Sequence, residues 1–110
     1  LIRASAVAGA IMIGASDDKI DAIDSYATHL GLGFQIIDDI VDIEGTADIL
    51  GKTVGKDAAA RKPTYPAVYG LEKSRSLAAR AIAKAKQVLH DCGLSGQLDK
   101  IADLVLARKY

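Results

Sequence analysis

The stretch FQIIDDIVDIEG, residues 34–45, places three aspartates and a glutamate among isoleucine, valine and phenylalanine. A half-buried strand would need alternating apolar and polar residues, and that alternation fails here. At about 100° per residue along a helix, four polar side chains fall within an arc of about 100°: Gln35, Asp38, Asp39 and Asp42. Apolar residues cover the remaining circumference. The pattern predicts a helix with one carboxylate face and one buried face.

This helix is expected to extend from about residue 17 toward residue 44. Ser16 precedes it as an N-cap, and Asp17 and Asp18 occupy the first turn, where the helix dipole favours anions. Gly45 is expected to end the helix. The segment 45–62, GTADILGKTVGKDAAARK, contains three glycines and no helical apolar periodicity. It therefore predicts a long loop.

The first fifteen residues, LIRASAVAGAIMIGA, are apolar and rich in small side chains. A membrane-spanning helix needs roughly 20 apolar residues, and this shorter run includes Arg3, so no membrane span is expected. We predict a buried helix instead. Because the chain does not begin with an initiator methionine, we also expect it to start inside a longer protein.

Three further helices are predicted toward the C-terminus. Thr64 is placed to cap a short helix in TYPAVYG, which Gly70 closes. Apolar residues spaced by three and four predict a longer helix from residue 71, with Gly93 at its C-terminal cap. Ser95 is placed to cap a last helix that runs to residue 110. The chain is thus predicted to be all-α, with a single domain over residues 1–110.

Charge and cysteine content bear on partners and compartment. The 14 basic and 14 acidic side chains give a net charge of zero, which does not indicate a nucleic-acid partner. Cys92 is the single cysteine and cannot form an internal disulfide. A lone thiol is typical of a reducing compartment, so a cytoplasmic location is expected.

The three aspartates of the carboxylate face would repel one another if they stood alone. They lie near the C-terminal end of their predicted helix, where the dipole disfavours anions, and no Lys or Arg stands three or four residues away. A solvated acidic face is the simpler interpretation, but it leaves this placement unexplained. Mg²⁺ held by one or two carboxylates together with substrate phosphates explains it. We therefore predict Asp38, Asp39 and Asp42 as Mg²⁺ ligands.

The loop that follows is rich in cations. Lys52, Lys56, Arg61 and Lys62 lie within eleven residues of a glycine-bearing segment. Such a loop can fold its cations back over the helix end to contact phosphate oxygens. Each lysine alone could be an ordinary surface residue. Together with the aspartates they predict a diphosphate-binding site.

Three other motifs fail on spacing. An EF-hand loop with Gly45 at its sixth position would place Ile40 where an oxygen ligand is required. The GKT of residues 51–53 resembles the end of a Walker A motif, but that motif needs a glycine at position 46, which is Thr46. The GLG of residues 31–33 would need a third glycine at Ile36 to bind a dinucleotide.

Several stretches occur together in the order and spacing of one family: GLGFQIIDDIVD, LGKTVGKD, KPTYPAVYGLEKSR and the basic C-terminal end. Over nearly its whole length the chain resembles the C-terminal part of the trans-isoprenyl diphosphate synthases, which include farnesyl and geranylgeranyl diphosphate synthases. The resemblance implies the C-terminal helices of an isoprenoid-synthase helical bundle. Asp38, Asp39 and Asp42 match the family's second aspartate-rich motif, DDxxD, which with Mg²⁺ holds the allylic diphosphate.

The resemblance also implies roles for other residues. Phe34 and Gln35 match a Phe-Gln pair whose glutamine extends toward the allylic substrate. Lys52 matches a lysine that binds the allylic diphosphate, so Asp38, Asp39 and Lys52 are the expected catalytic residues. Lys62 and Lys56 are further diphosphate-binding candidates, and Arg108 with Lys109 resembles a basic tail that closes over isopentenyl diphosphate.

By this resemblance the parent protein is a Mg²⁺-dependent prenyltransferase that condenses isopentenyl diphosphate with an allylic diphosphate to give a short-chain product, and it is a homodimer. The resemblance also implies that the family's first aspartate-rich motif, its neighbouring arginines and the Lys-Thr pair that lies just ahead of the LIRAS segment are outside these 110 residues, so the chain alone is expected to be inactive. Two alternatives remain: a class I terpene cyclase of the same fold, and a non-catalytic helical subunit or scaffold.

Overall fold

The computed structural model describes residues 1–49 and 63–108, and for residues 46–49 it describes the backbone alone. These ranges contain five α-helices and no strand, which confirms the all-α prediction. The helices are α1 (Ile2–Met12), α2 (Asp17–Ile49), α3 (Tyr65–Tyr69), α4 (Leu71–Asp91) and α5 (Gln97–Ala107). Helix α2 contacts all four others and is the centre of the arrangement.

Helix α2 begins as its sequence predicts and ends later than predicted. The Oγ of Ser16 accepts a hydrogen bond from the backbone N–H of Lys19 at 3.4 Å, and Asp17 and Asp18 lie in the first turn. The prediction that Gly45 ends the helix is wrong, because Gly45 is buried within α2 and the helix continues to Ile49. A glycine inside a helix costs only about 1 kcal/mol relative to alanine, which packing can offset. The predicted loop therefore does not begin at residue 45, and its residues 50–62 lie outside the described ranges.

Helix α3 is capped as predicted. The Oγ1 of Thr64 accepts a hydrogen bond from the N–H of Ala67 at 3.2 Å, and Gly70 follows the helix with a φ of 84°. Positive φ is the conformation that favours glycine at a helix end. Pro66 lies in the first turn, where a missing N–H is tolerated.

Helix α4 also ends as predicted, in a turn centred on Gly93. Gly93 has a φ of 75°, and its N–H donates to the carbonyl oxygen of His90 at 3.2 Å. The N–H of Leu94 donates to the carbonyl oxygen of Leu89 at 2.8 Å. These two hydrogen bonds form a Schellman motif, which satisfies carbonyl groups that the helix end leaves free.

The boundaries predicted for the last helix are wrong at both ends. Gly96, rather than Ser95, is the N-cap of α5, and its N–H donates to Oδ2 of Asp99 at 2.9 Å. Gly96 has a φ of 139°, which a residue with a side chain rarely adopts, so the chain turns one residue later than predicted. At the other end α5 stops at Ala107, and Arg108 has an extended backbone with φ −59° and ψ 136°.

The buried residues form two clusters along α2 and α4. The first contains Tyr26, Ala27, Leu30, Ile82, Ala85, Leu89 and Ala102. The second contains Ile36, Ile37, Ile40, Val41 and Ala78. Alanines on α4 let its backbone approach α2 closely, and the second cluster lies directly beneath the turn of α2 that carries the aspartates.

A polar contact links α2 to the start of α5. The Tyr26 hydroxyl donates to the carbonyl oxygen of Leu98 at 2.8 Å. Burial of the ring, and then the negative charge of Asp99, raise the pKa of Tyr26 above its usual value. A phenol with the usual pKa of about 10 is already protonated at neutral pH, so the shift is not needed for Tyr26 to donate this hydrogen bond.

Helix α1 forms where predicted, but it is not a buried helix. Only Ala10 of α1 is buried, while Ile11 and Met12 are 58% and 86% exposed. Among the described helices α1 contacts α2 alone, so it can bury only one side. Arg3 of α1 also pairs with Asp24 of α2 on the surface. Within the described ranges, no helix combines the length and apolar character needed to cross a bilayer.

The close approach of α2 and α4 predicts opposite effects for two glycines of α2. A Cβ at Gly33 would lie 2.7 Å from Cδ1 of Ile82, which is 1% exposed, whereas a Cβ at Gly31 would have no atom within 4 Å. Overpacking a core typically costs about 1–3 kcal/mol, and replacing glycine by alanine in a helix contributes about 1 kcal/mol. We expect Gly33→Ala to have a lower free energy of unfolding than Gly31→Ala, by about 2 kcal/mol, in urea unfolding curves. Equal stability of the two variants would contradict this packing.

Candidate functional site

The carboxylate turn, defined as Gln35, Asp38, Asp39 and Asp42, lies on the side of α2 opposite the second core cluster. Gln35 and Asp42 are exposed, and Asp38 and Asp39 are half-buried. Ile36 and Ile40, on the opposite side, are 1% and 3% exposed. The predicted separation of a carboxylate face from a buried face is therefore confirmed.

Asp39 is held at both of its carboxylate oxygens. Gln35, one helical turn earlier, donates from Nε2 to Oδ1 of Asp39 at 3.1 Å. The backbone N–H of Tyr65, at the start of α3, donates to Oδ2 at 3.3 Å. A carboxylate oxygen has about two acceptor positions, so each oxygen keeps one for a further ligand. The two donors fix the orientation of the carboxylate without using all of its acceptor capacity.

Asp38 is paired with a cation from the far end of the chain. Nη1 of Arg108 lies 3.0 Å from Oδ1 of Asp38, and the two residues are 70 positions apart. The guanidinium carbon of Arg108 also lies 5.2 Å from the centre of the Phe34 ring, within the range of a cation–π contact. Arg108 thus contacts two residues that the sequence associated with the same site.

Glu44 lies outside the carboxylate turn, as its position on the helix predicts. It forms an ion pair with Arg75 of α4. A cavity of about 290 Å³ lies between this pair and Arg108, and Ile40, Val41 and Leu106 are among its lining residues. The sequence did not indicate Arg75 as a neighbour of the site, because its pairing depends on how α4 lies against α2.

Four cations of the predicted site belong to parts of the chain outside the described ranges. Lys52, Lys56, Lys62 and Lys109 lie outside the described residues. Within the part of the chain that the structure describes, no three His, Cys, Asp or Glu side chains are grouped so as to hold a metal ion. Asp38 is turned toward Arg108 and Asp39 toward Gln35 and Tyr65.

The Tyr65 N–H is a contact that sequence analysis missed. The Thr-Tyr-Pro segment was placed on a capped helix, but a backbone amide has no mark of its own in the sequence. Its approach to Asp39 depends on the return of the chain to α2 after 26 residues. The ion pair of Arg108 with Asp38 was likewise not predicted, although Arg108 itself was assigned to the site.

A family model described as polyprenyl synthetase matches residues 1–93 of the chain. Over 110 residues the chain is 44% identical to geranylgeranyl pyrophosphate synthase 10, mitochondrial, of Arabidopsis thaliana, and the match covers all of this chain and 31% of that protein.

Two other curated relatives match over the whole chain. One is the heterodimeric geranylgeranyl pyrophosphate synthase large subunit 1, chloroplastic, of Arabidopsis thaliana, 44% identical with 29% of that protein covered. The other is a dimethylallyltranstransferase of Fischerella ambigua (strain UTEX 1903), 45% identical with 32% covered. The chain spans about a third of the length of these relatives.

The contact between Arg108 and Asp38 predicts a small, salt-sensitive coupling. Their side chains are 40% and 35% exposed, and ion pairs exposed to this degree typically contribute about 0.2–1 kcal/mol. A double-mutant cycle of Asp38→Asn and Arg108→Ala, measured by urea unfolding of the full-length protein, should give a coupling in that range that decreases in high salt. The cycle with Asp42→Asn in place of Asp38→Asn is the control and should give no coupling. Equal values from the two cycles would contradict the specific pair.

Proposed function

Because this chain belongs to the polyprenyl synthetase family, we propose that the full-length protein is a prenyltransferase that condenses isopentenyl diphosphate with an allylic diphosphate. The observation that carries the proposal is the carboxylate turn, where Asp38 and Asp39 are half-buried and bonded to donors from two other parts of the chain. The names of the relatives, which are geranylgeranyl pyrophosphate synthases and a dimethylallyltranstransferase, support a short-chain isoprenyl diphosphate as the product.

Mg²⁺ is the proposed cofactor, and the donor set fits it. The carboxylate turn offers only oxygen ligands, which suit Mg²⁺ rather than a softer metal. Mg²⁺ is usually held by one or two carboxylates with substrate phosphates and water, so three converging side chains are not required. Asp38, Asp39 and Asp42 would hold it. When bound there, Mg²⁺ would supply positive charge to stabilise a departing diphosphate.

The residues of this chain have separate tasks in the proposed reaction. Lys52, Lys56 and Lys62 would bind the allylic diphosphate and stabilise the charge that develops when the allylic C–O bond breaks and its electron pair goes to the diphosphate. Gln35 would orient the substrate beside the carboxylates. The double bond of isopentenyl diphosphate then attacks the allylic cation, and a proton is lost to restore a double bond.

Arg108 and Phe34 belong to the second part of this proposal. The guanidinium of Arg108 lies over the Phe34 ring and donates a hydrogen bond to Asp38, at the edge of the carboxylate turn. At that position Arg108 could exchange the Asp38 carboxylate for a substrate phosphate, because the planar guanidinium group forms paired hydrogen bonds with either anion. We assign Arg108 to binding of a substrate diphosphate, with Phe34 supporting the guanidinium plane.

A homodimer in the cytoplasm completes the proposal. The lone Cys92, a free thiol, supports a reducing compartment. One relative is instead named as the large subunit of a heterodimeric synthase, so the homodimer needs a direct test. Chromatography of the full-length protein alone, coupled to light scattering, tests the proposed homodimer, and a monomer would contradict it.

The carboxylate turn predicts the loss of diphosphate binding when Asp38 is removed. In the full-length protein, Asp38→Ala should abolish Mg²⁺-dependent binding of a non-hydrolysable allylic diphosphate analogue, because it removes one of the carboxylate ligands proposed for Mg²⁺ and one of the negative charges that attract the cation. Asp21→Ala, an exposed aspartate earlier on α2, is the matched control and should bind as the wild type does. Isothermal titration calorimetry measures both. Unchanged binding by Asp38→Ala would contradict the proposed site.

Product assays distinguish the proposed activity from its alternatives. The full-length protein should form a longer isoprenyl diphosphate only when both isopentenyl diphosphate and an allylic diphosphate are supplied, and the 110-residue chain alone should form none. Release of diphosphate from the allylic substrate without isopentenyl diphosphate would indicate a terpene cyclase. No turnover by the full-length protein would indicate a non-catalytic subunit.

A further inference from the structure

At the start of α3, the backbone N–H of Tyr65 has no partner within the helix and donates a hydrogen bond to Asp39 instead. The first N–H groups of any helix have no partner within it. In α3 the N–H of Ala67 donates to Oγ1 of Thr64 at 3.2 Å, and the N–H of Val68 donates to the Thr64 carbonyl oxygen at 3.1 Å. Pro66 has no N–H. The N–H of Tyr65 is the remaining donor of this turn, and it donates to Oδ2 of Asp39 at 3.3 Å.

The direction of that donor depends on Thr64. Thr64 accepts both hydrogen bonds that close the first turn of α3, one at its hydroxyl and one at its carbonyl. The residue is 8% exposed, so water has little access to replace the hydroxyl. Its backbone, at φ −89° and ψ 162°, sets the plane of the peptide that carries the Tyr65 N–H. The cap therefore orients the donor.

The rest of α3 is anchored to the core on the same side of the site. Pro66 is buried, and Tyr65 packs against the second core cluster beneath the carboxylate turn. The rings of Tyr65 and Tyr69 stack with their centres 5.9 Å apart. A short helix of this kind has little stability of its own, since isolated helices below about 12 residues are marginal in water. Its hold on Asp39 consequently rests on the cap and on this packing.

We propose that Thr64 is a positioning residue for Asp39, acting through the N–H of Tyr65 to keep the carboxylate oriented for Mg²⁺ and a diphosphate. This inference rests on the proposed function of the carboxylate turn. Gln35 holds Oδ1 from within α2, and the Tyr65 N–H of α3 holds Oδ2. The Asp39 carboxylate therefore cannot rotate about its Cβ–Cγ bond without losing a hydrogen bond. For Asp38 the structure shows a hydrogen bond from Arg108 alone, and the Arg108 side chain is exposed.

Loss of the Thr64 cap should lower the affinity of the site for Mg²⁺, whereas loss of a helix cap elsewhere should not. Groups that orient a metal ligand typically contribute 10–100-fold to metal affinity. Without the Thr64 hydroxyl, the N–H of Ala67 loses its acceptor, the first turn of α3 loosens, and the Tyr65 N–H no longer holds one orientation of Asp39. The carboxylate would then have to be ordered when the cation binds, which lowers the affinity.

The experiment compares two substitutions of Thr64 with the loss of a different helix cap. In the full-length protein, calorimetric titration with inorganic pyrophosphate at a series of Mg²⁺ concentrations gives the Mg²⁺ concentration at half-maximal binding. Thr64→Val, which keeps the side-chain shape without the hydroxyl, should raise that concentration about tenfold. Thr64→Ser keeps the hydroxyl and should stay within about twofold of the wild type, since serine caps as well as threonine. Ser16→Ala removes the cap of α2 and should leave the Mg²⁺ requirement unchanged, although thermal stability falls.

The outcomes separate this inference from the proposed function. If Thr64→Val needs no more Mg²⁺ than Ser16→Ala while Asp38→Ala abolishes pyrophosphate binding, the positioning role is wrong and the proposed site stands. If the wild type itself binds no pyrophosphate with Mg²⁺, both fail.

A second measurement applies if Thr64→Val does not fold. Asp39→Ala should accelerate hydrogen exchange at the Tyr65 amide about tenfold or more relative to the wild type, because the amide loses a charged acceptor. Unchanged exchange at Tyr65 would overturn the inference without any Thr64 variant.

Discussion

The contact between α2 and α4 is the constraint on which the other features of the structure depend. Gly33 lets the buried Ile82 approach the backbone of α2, and Ala78 and Ala85, both fully buried, keep the facing side of α4 small. Close packing of this kind fixes the rotation of α2 about its axis, because each larger side chain must face the gap left for it. That rotation turns Ile36 and Ile40 inward and the aspartates outward. The position of the carboxylate turn is thus a consequence of apolar packing on the opposite side of the helix.

The three aspartates differ in what surrounds them, although the sequence presents them as one motif. Asp39 is bonded on both oxygens by Gln35 and the Tyr65 amide, Asp38 is paired with Arg108, and Asp42 is exposed. Repulsion among the three is reduced by donors that come from later parts of the chain. Because α2 continues to Ile49, the aspartates lie about two to three turns before its C-terminal end, beyond the reach of the helix dipole, so the unfavourable term that these contacts offset is the mutual repulsion of the carboxylates.

Sequence patterns predicted the elements well wherever the deciding interaction was local. Thr64, Gly70 and Gly93 act within a few residues of themselves, and their caps were predicted correctly. The prediction that Gly45 ends α2 was wrong because a glycine permits a helix to end without requiring it. Gly45 is buried, and α2 continues past it. Ser95 was misjudged because two residues could start the same helix, and the unusual backbone of Gly96 decided between them.

The sequence by itself determined that the chain is helical, that α2 has a carboxylate face, and which family the chain resembles, because helical periodicity and motif spacing are properties of neighbouring residues. Only the tertiary structure decided that the Tyr65 amide meets Asp39 and that Arg108 meets Asp38 and Phe34. The contacts with Asp39 and Asp38 join residues 26 and 70 positions apart, and no local pattern encodes them. They follow from the way α3 and α5 return to α2, which depends on the packing of all the helices together.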